Sequence, residues 1–222
     1  MRSVRLVLTI LFALFFVSSF LTAQEKWKLE KNAKGVKVYT RTVPGSDYRE
    51  MMAVGVDDIP FEVAAEVAKD YNSYQQWYGM CKTLKLIKKS SDSNFDMYFV
   101  LDMPVVTNRD AVIRVKTNFD FKKGRGRVTM TSVDSSYKKD AGLVRMPKVK
   151  GSFTITRLGP SRVQVVYQIH ADMGGNVPAW VVNTAAVKHP FDTAVGVKRQ
   201  ARKPVYTEQA NKLHKTSYAV PR

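Results

Sequence analysis

The chain is poor in the residues from which metal and catalytic sites are usually built. Its 222 residues include one cysteine and three histidines, and 19 acidic residues stand against 36 lysines and arginines. The single cysteine, Cys81, excludes a disulfide within the chain, so stability must come from packing, and we expect a buried, inert thiol. His170, His189 and His214 lack the spacing of metal ligands. We therefore expect no metal and no cofactor.

Sequence motifs for catalysis are also missing. There is no Gly-x-Ser-x-Gly elbow, and Gly124-Arg125-Gly126 is not a phosphate loop because Lys-Ser or Lys-Thr does not follow it. Asp57-Asp58 and Asp134 suit turns or helix caps better than an acid–base pair. These absences predict a protein that is not an enzyme.

A long apolar run occurs at the start of the chain. Arg2 and Arg5 precede the apolar residues 6–17, and Leu21-Thr22-Ala23 resembles a signal-peptidase site. We predict that residues 1–23 are a signal peptide, cleaved after Ala23, which directs the protein to the periplasm or cell envelope. A retained membrane anchor is the alternative, although its length is marginal for a bilayer core of about 30 Å.

Positive charge exceeds negative charge over the chain as a whole. Removing Arg2 and Arg5 lowers the formal net charge from +17 only to +15, and the cations are dispersed. Such a surface attracts anionic headgroups or nucleic acid over long range. Because an exported protein meets membranes rather than nucleic acid, we expect transient contact with an anionic membrane surface and no nucleic-acid partner. A basic surface without any partner is an equally good interpretation.

The periodicity of apolar residues predicts two strands, two helices, about six strands and one last helix. Residues 24–204 are expected to form one domain, and residues 205–222 a polar, loosely ordered tail without apolar periodicity. Segregated helices and a meandering sheet indicate an α+β fold with an antiparallel sheet. The predicted strands are 36–41, 48–56, 83–88, 95–101, 109–121, 127–133, 144–157 and 162–172, and the predicted helices are 60–69 (capped by Asp58), 70–77 and 177–203 (kinked at Pro190).

The last helix of this order suggests a lid. Many consecutive strands must curl, and a curled sheet around a terminal helix leaves a space between them. An apolar stripe along the helix is predicted to face that space, with small residues leaving room beneath it and Pro190 as a hinge. The stripe comprises Val177, Val181, Thr184, Ala185, Lys188, Phe191 and Val195.

Several motifs occur in an order that resembles a known family. They are Trp27-Lys28-Leu29, Gly35 to Tyr39, Asp70-Tyr71 with Trp77, Pro104-Val105 with Asn108-Arg109-Asp110, Lys150 to Phe153, and the most specific, Gly174-Gly175-Asn176-Val177-Pro178-Ala179-Trp180-Val181-Val182-Asn183. Together they resemble START domains, the steroidogenic acute regulatory protein-related lipid-transfer family, over residues 27–203. The resemblance implies the helix-grip fold, in which a curved antiparallel sheet wraps around a long C-terminal helix with a lipid or sterol tunnel between them.

The resemblance implies binding and transfer of a lipid or other hydrophobic ligand by a monomer, with the C-terminal helix as the gate. A cyclase- or aromatase-like enzyme on the same fold, or a ligand-sensing interaction module, is the alternative. Ala111, Ile113 and Val115 share one face of a strand, and Val115 fills the charged tunnel position of some members, which weakens the case for a sterol. The residues predicted to line the cavity are Trp77, Met97, Phe99, Ala111, Ile113, Val115, Met130, Met146, Trp180, Val181, Thr184, Ala185 and Lys188.

Arg109 and Asp110 admit two interpretations. Arg109 could meet a ligand headgroup at the cavity. Alternatively, both side chains tie the start of their strand to its neighbours, because a buried charge is tolerated when it is paired. The structural interpretation is favoured.

Overall fold

A computed structural model describes residues 26–139 and 142–220. The predicted signal peptide at residues 1–23 lies outside the described residues. The described elements, in chain order, are β1 Lys28–Ala33, β2 Val36–Val43, β3 Ser46–Asp57, α1 Phe61–Lys69, a 3₁₀ turn Tyr71–Ser73, α2 Tyr74–Trp77, β4 Cys81–Ser91, β5 Asn94–Leu101, β6 Arg109–Asp120, β7 Arg125–Ser132, β8 Val144–Arg145, β9 Lys148–Gly159, β10 Arg162–Asp172, α3 Ala179–Gln200 and α4 Pro204–His214.

The strands form one sheet around the long helix α3, which confirms the predicted α+β helix-grip fold. The strand order is β1-β2-β3-β10-β9-β7-β6-β5-β4, and β8 adds a short parallel pair to β6. Every other pairing is antiparallel. The sheet brings an early strand and a late strand of the chain together. Strand β10 pairs with β3, from Val163 opposite Asp57 to Ile169 opposite Met51.

Strand β6 shows how the sequence separates the two faces of the sheet. Ala111, Ile113 and Val115 are buried in the main core beneath α3, as their alternation predicts, because successive side chains on a strand point to opposite faces. Val112 points the other way into a small separate cluster, and Arg114 is exposed. One strand thus supplies part of the inner core and part of the outer surface.

Helix α4 corrects the prediction of an irregular tail at residues 205–222. Residues 204–214 form a helix that packs on α1, with Tyr206, Thr207 and Ala210 buried. The Tyr206 hydroxyl donates to Asp70 at 2.8 Å, and Nε2 of His214 lies 2.9 Å from a carboxylate oxygen of Glu66. The helix was missed because its inner face is narrow and partly polar, and its partners are carboxylates near α1.

Several predicted boundaries also differ from the structure. Strand β1 was not predicted by periodicity, and Pro60 rather than Asp58 occupies the N-cap position of α1. The single strand expected over 144–157 is divided at Pro147, because proline cannot donate to a ladder, into β8 and β9. Helix α3 runs from 179 to 200 rather than from 177 to 203.

A candidate binding site beneath helix α3

Three small apolar voids lie between the sheet and the helices, each with a volume of about 20 Å³. Void 1 lies under the start of α3, beside Met51, Met146, Met173 and Ala185. Void 2 lies between α2 and the sheet, beside Trp77, Met97, Val115 and Met130. Void 3 lies near the end of α3, beside Ala53, Val165, Ala194 and Val197.

Most residues predicted to line a cavity lie in the core beneath α3. Phe99 and Ile113 line voids 1 and 2, Met146 and Ala185 line void 1, and Trp77, Met97, Val115 and Met130 line void 2. Ala111 and Val181 belong to the same buried core and line none of the three voids. Strand alternation and helix periodicity therefore bring these residues to one region.

Three predicted lining residues do not reach this region. Thr184 and Lys188 lie on the exposed face of α3, and Trp180 is 58% exposed, so their placement in the cavity wall is wrong for this conformation. The buried face of α3 instead follows a four-residue spacing through Val181, Ala185 and then His189 and Thr193. The predicted stripe followed a neighbouring row of the helix and so included its outer edge.

The voids do not join into the single tunnel that the sequence resemblance implies. Tyr78, Phe99 and Ile113 stand between voids 1 and 2, and Phe153 separates voids 2 and 3. The ring centroids of Phe153 and Tyr167 are 4.4 Å apart, and those of Tyr78 and Phe99 are 5.4 Å apart. A void of this size has room for about one water molecule. A lipid therefore requires movement of side chains or of α3.

A chain of hydrogen bonds crosses the buried region and was not predicted from the sequence. The hydroxyls of Tyr78 and Tyr167 are 2.6 Å apart, and the Tyr167 hydroxyl is 2.8 Å from Nε2 of His189. Nδ1 of His189 is 2.8 Å from the carbonyl oxygen of Gly79. Burial lowers the pKa of His189 to about 4 and raises the pKa of both tyrosines, so all three side chains are neutral near pH 7.

Part of this series of hydrogen bonds could have been predicted from the sequence. His189 lies four residues after Ala185 on α3, so the two share the buried helix face, although the spacing of the histidines predicts no metal site. Tyr78 follows Trp77 directly at the end of α2. No short-range pattern connects Tyr78 with Tyr167, because 89 residues separate them.

Close backbone contacts fix the loop after α2 against α3. A Cβ atom on Gly79 would lie 2.5 Å from the carbonyl oxygen of His189, so only glycine fits there without a shift. The amide of Gly79 donates to the Thr193 hydroxyl at 2.9 Å. One turn further along α3, a Cβ on Gly196 would clash with the carbonyl of Trp77. The two elements therefore pack with backbone against backbone.

Arg109 and Asp110 are both buried, but they do not pair with each other. Asp110 accepts two hydrogen bonds of 2.8 Å from Arg145. Arg109 donates to the backbone carbonyls of Thr107, Met173 and Gly174. These bonds fasten the loop before α3 to the start of β6. Neither side chain lines any of the three voids.

A larger groove lies on the other face of the sheet. It is open to solvent, has a volume of about 730 Å³, and is lined by polar and charged side chains that include Arg41, Glu50, Lys116, Arg127 and Lys150. Arg41 is paired with Glu50 at 2.5 Å. Because its lining is charged and wet, this groove does not suit an apolar ligand.

The described residues show no sign of a metal site, a membrane-spanning helix or a reactive thiol. No group of three or more histidine, cysteine, aspartate or glutamate side chains could hold a metal ion there. Across residues 26–139 and 142–220, no helix is both long and apolar enough to cross a bilayer. Burial raises the pKa of the Cys81 thiol to about 12, so the thiol stays protonated near pH 7.

Comparison with known proteins agrees with the fold. The START domain family model matches residues 13–202, and the chain therefore belongs to the START domain family. It is 34% identical over 201 residues to an uncharacterized protein of Pseudomonas aeruginosa, which covers 88% of this chain and 96% of that protein.

Two further relatives have descriptive names. A STAR-related lipid transfer protein from Xanthomonas axonopodis has a solved structure with a TM-score of 0.70 and 30% identity, covering 80% of this chain and 99% of that one. Mouse phosphatidylcholine transfer protein is 26% identical over 165 residues, which is 72% of this chain and 76% of the mouse protein.

Proposed function

We propose that the protein binds a lipid or another hydrophobic small molecule between the sheet and α3, and transfers it between membranes without chemical change. The observation that carries this proposal is the set of apolar voids between the sheet and the helices of a START-family fold, two of which α3 lines. The names of the Xanthomonas axonopodis and mouse relatives support it, because both are described as lipid transfer proteins.

Methionines are the side chains best able to make room for the ligand. Met51, Met146 and Met173 line void 1, and Met97 and Met130 line void 2. Their unbranched thioether side chains can adopt other rotamers without exposing a polar group. Each methylene group of a ligand that replaces water contact with this wall contributes about 0.8 kcal/mol, so one acyl chain suffices for tight binding.

The gate in this proposal is the first part of α3, residues 179–188. It follows Gly174 and Gly175, whose φ angles of 61° and 60° suit glycine, and it ends before Pro190. Pro190 has no amide hydrogen, so the helix lacks one hydrogen bond at this point. Movement of residues 179–188 would open void 1 to solvent or membrane while the rest of α3 stays in place.

We also propose that the mouth of the site meets an anionic membrane. Trp180 on α3 is 58% exposed and Val105 in the loop between β5 and β6 is 78% exposed, and apolar side chains of this kind favour a bilayer interface. The net positive charge of the chain favours anionic headgroups. Export to the periplasm or cell envelope, and a monomeric state, are further parts of this proposal; the sequence of residues 1–23 supports the export.

An enzyme of the cyclase or aromatase kind is the second candidate, because Tyr78, Tyr167 and His189 place titratable groups inside the fold. However, a general acid or base works best when its pKa lies near the operating pH. The pKa of His189 is lowered to about 4 and the pKa values of the tyrosines are raised, so all three are poorly matched to that task. The chain of hydrogen bonds therefore favours binding over catalysis.

Native mass spectrometry tests the proposed function. The protein purified from its own cells, or incubated with vesicles and separated from them, should carry a bound lipid, and a second set of labelled vesicles should receive that lipid. Protein that carries no ligand after either treatment would contradict the proposal. A ligand that leaves chemically altered would favour the enzyme.

A further inference from the structure

The hydrogen bonds at His189 have only one consistent direction. A backbone carbonyl accepts and never donates, so the 2.8 Å contact with Gly79 requires a proton on Nδ1 of His189. In the neutral ring Nε2 must then accept, and the Tyr167 hydroxyl must donate to it across 2.8 Å. Because the Tyr167 proton is committed, the Tyr78 hydroxyl donates to Tyr167 across 2.6 Å.

Tyr78 is consequently the last residue in this series of hydrogen bonds, and its hydroxyl oxygen can still accept another one. Its hydroxyl proton is committed to Tyr167, and this is the one hydrogen bond of its side chain among the described residues. A hydroxyl oxygen can accept further hydrogen bonds, so Tyr78 retains accepting capacity and has no proton left to donate. Tyr78 lines both void 1 and void 2, as Phe99 and Ile113 do, so this oxygen belongs to one of the residues that stand between the two voids.

The surroundings exclude a charged ligand group at this place. The side chains around voids 1 and 2 include no Asp, Glu, Lys or Arg among the described residues. Void 3 touches Asp57 and Lys198, but Asp57 is paired with Arg202 at 2.6 Å and Lys198 donates to the carbonyl of Val56 at 3.0 Å. An ionised headgroup beside Tyr78 would lose its hydration without gaining a counter-ion.

We propose that Tyr78 recognises one uncharged hydrogen-bond donor, such as a hydroxyl group, on an otherwise apolar ligand. This inference rests on the proposed function and narrows its ligand class to neutral lipids that bury a hydroxyl or amide N–H group. Tyr167 and His189 are positioning residues, since they fix the direction in which the Tyr78 proton points. An ether or ester oxygen in the same place finds no donor.

A pair of probes whose oxygen carries either a hydrogen atom or a methyl group tests this inference. 1-Dodecanol and its methyl ether are titrated against the purified protein, and displacement of the neutral fluorophore N-phenyl-1-naphthylamine gives their affinities. The alcohol should bind the wild-type protein more tightly than the ether. The ratio of the two affinities should fall about tenfold in Tyr78→Phe, which keeps the ring and removes the acceptor.

Two further variants separate recognition from a general effect on packing. Tyr98→Phe removes the hydroxyl of a buried tyrosine outside the main core and should keep the wild-type ratio. Tyr167→Phe releases the proton of Tyr78, which can then donate to the ether, so the ratio should fall through a gain in ether affinity. A merely structural role of Tyr167 predicts equal losses for both probes and would contradict the inference.

The wild-type protein alone can overturn the inference, whether or not the variants fold. If the ether binds as tightly as the alcohol or more tightly, Tyr78 does not recognise a hydrogen-bond donor on the ligand. The proposed lipid-binding function would still stand. If neither probe displaces the fluorophore and vesicles deliver no lipid, the proposed function fails and this inference fails with it.

Discussion

The two segments of α3 are attached to the fold in different ways. Within the described residues, no side chain of the first segment, 179–188, forms a hydrogen bond to another element; Thr184 and Lys188 bond within the helix itself. The second segment, 189–200, forms such bonds at five side chains: His189 to Gly79 and Tyr167, Thr193 to Gly79, Lys198 to Val56, Arg199 to Gln76, and Gln200 to Tyr206.

The difference indicates how one helix can both close a cavity and open it. The first segment is held by apolar contacts at Val181, Ala185 and Ala186, which a membrane or a lipid can replace. The second segment is held by directional bonds and by backbone contacts at Gly79 and Gly196, which a lipid cannot replace. Local opening draws on the least stable part of a fold, so we expect the first segment to move and the second to remain.

Acid should weaken the attachment of the second segment, and this is the largest of the effects expected here. The pKa of His189 is lowered from 6.5 in the unfolded chain to about 4 in the fold by burial, so between these pH values the unfolded chain binds a proton that the folded chain does not. Stability should therefore fall as the pH drops from 6.5 to about 4, by about 3 kcal/mol from this residue. Asp192, the Tyr167 hydroxyl and the aromatic ring of Tyr78 lie around the imidazole.

Urea denaturation of the wild-type protein and of His189→Gln at pH 7 and pH 4.5 measures this effect. The variant should be less stable at pH 7 but should lose less stability on acidification, because it has no imidazole to protonate. Equal losses in the two proteins would show that His189 does not anchor the helix through its neutral form.

Filling the close contact at Gly196 should destabilise the fold by about 2 kcal/mol. In Gly196→Ala the new methyl group meets the carbonyl of Trp77, and overpacking of this kind outweighs the gain in helix propensity. Thr184→Ala in the exposed part of the first segment is the control and should change the free energy of unfolding by less than about 0.5 kcal/mol. Thermal unfolding measures both variants. Equal losses of stability in Gly196→Ala and Thr184→Ala would contradict the account.

A matched pair of valines compares the two segments directly. Val181→Ala and Val197→Ala each remove the same two methyl groups from a buried side chain, and each should cost about 1 kcal/mol of stability. Only Val181→Ala should accelerate uptake of a fluorescent lipid from vesicles, about fivefold, because only its segment opens. The same acceleration of lipid uptake by Val197→Ala would show that opening is not confined to the first segment of α3.

The smallest effect on stability is expected at the exposed Trp180. Trp180→Ala should leave the free energy of unfolding within about 0.5 kcal/mol of the wild type, yet weaken co-sedimentation with anionic vesicles. Leu158→Ala, at an apolar residue that is 51% exposed near the turn between β9 and β10, is the control. Equal losses of vesicle binding in Trp180→Ala and Leu158→Ala would show that Trp180 has no specific role at the membrane.

The fold was predictable because its signals are local. Alternation placed Ala111, Ile113 and Val115 on one face, and the order of elements with the family motifs led to a sheet around a terminal helix. Helix α4 was not predictable in this way, because Tyr206 and His214 find their partners at Asp70 and Glu66 only after folding. The separation of β8 from β9 was not predicted, because a strand of two residues carries no periodicity of its own.

The site was only partly predictable, and for a related reason. The apolar lining follows from strand and helix faces, but the phase of α3 was misjudged at Trp180, Thr184 and Lys188. The chain of hydrogen bonds from Tyr78 to His189 joins residues from three distant elements. The volume of an internal cavity is also not encoded in local sequence patterns. The resemblance therefore implied one tunnel, whereas aromatic side chains separate the three voids described above.

Hydrogen exchange along α3 tests the central claim most directly. In the presence of lipid vesicles, the amides of residues 182–188 should exchange at least tenfold faster than those of residues 193–200, and lipid loading should slow the first group selectively. Exchange of both segments at the same rate, with or without lipid, would contradict a helix that opens at one end and is anchored at the other.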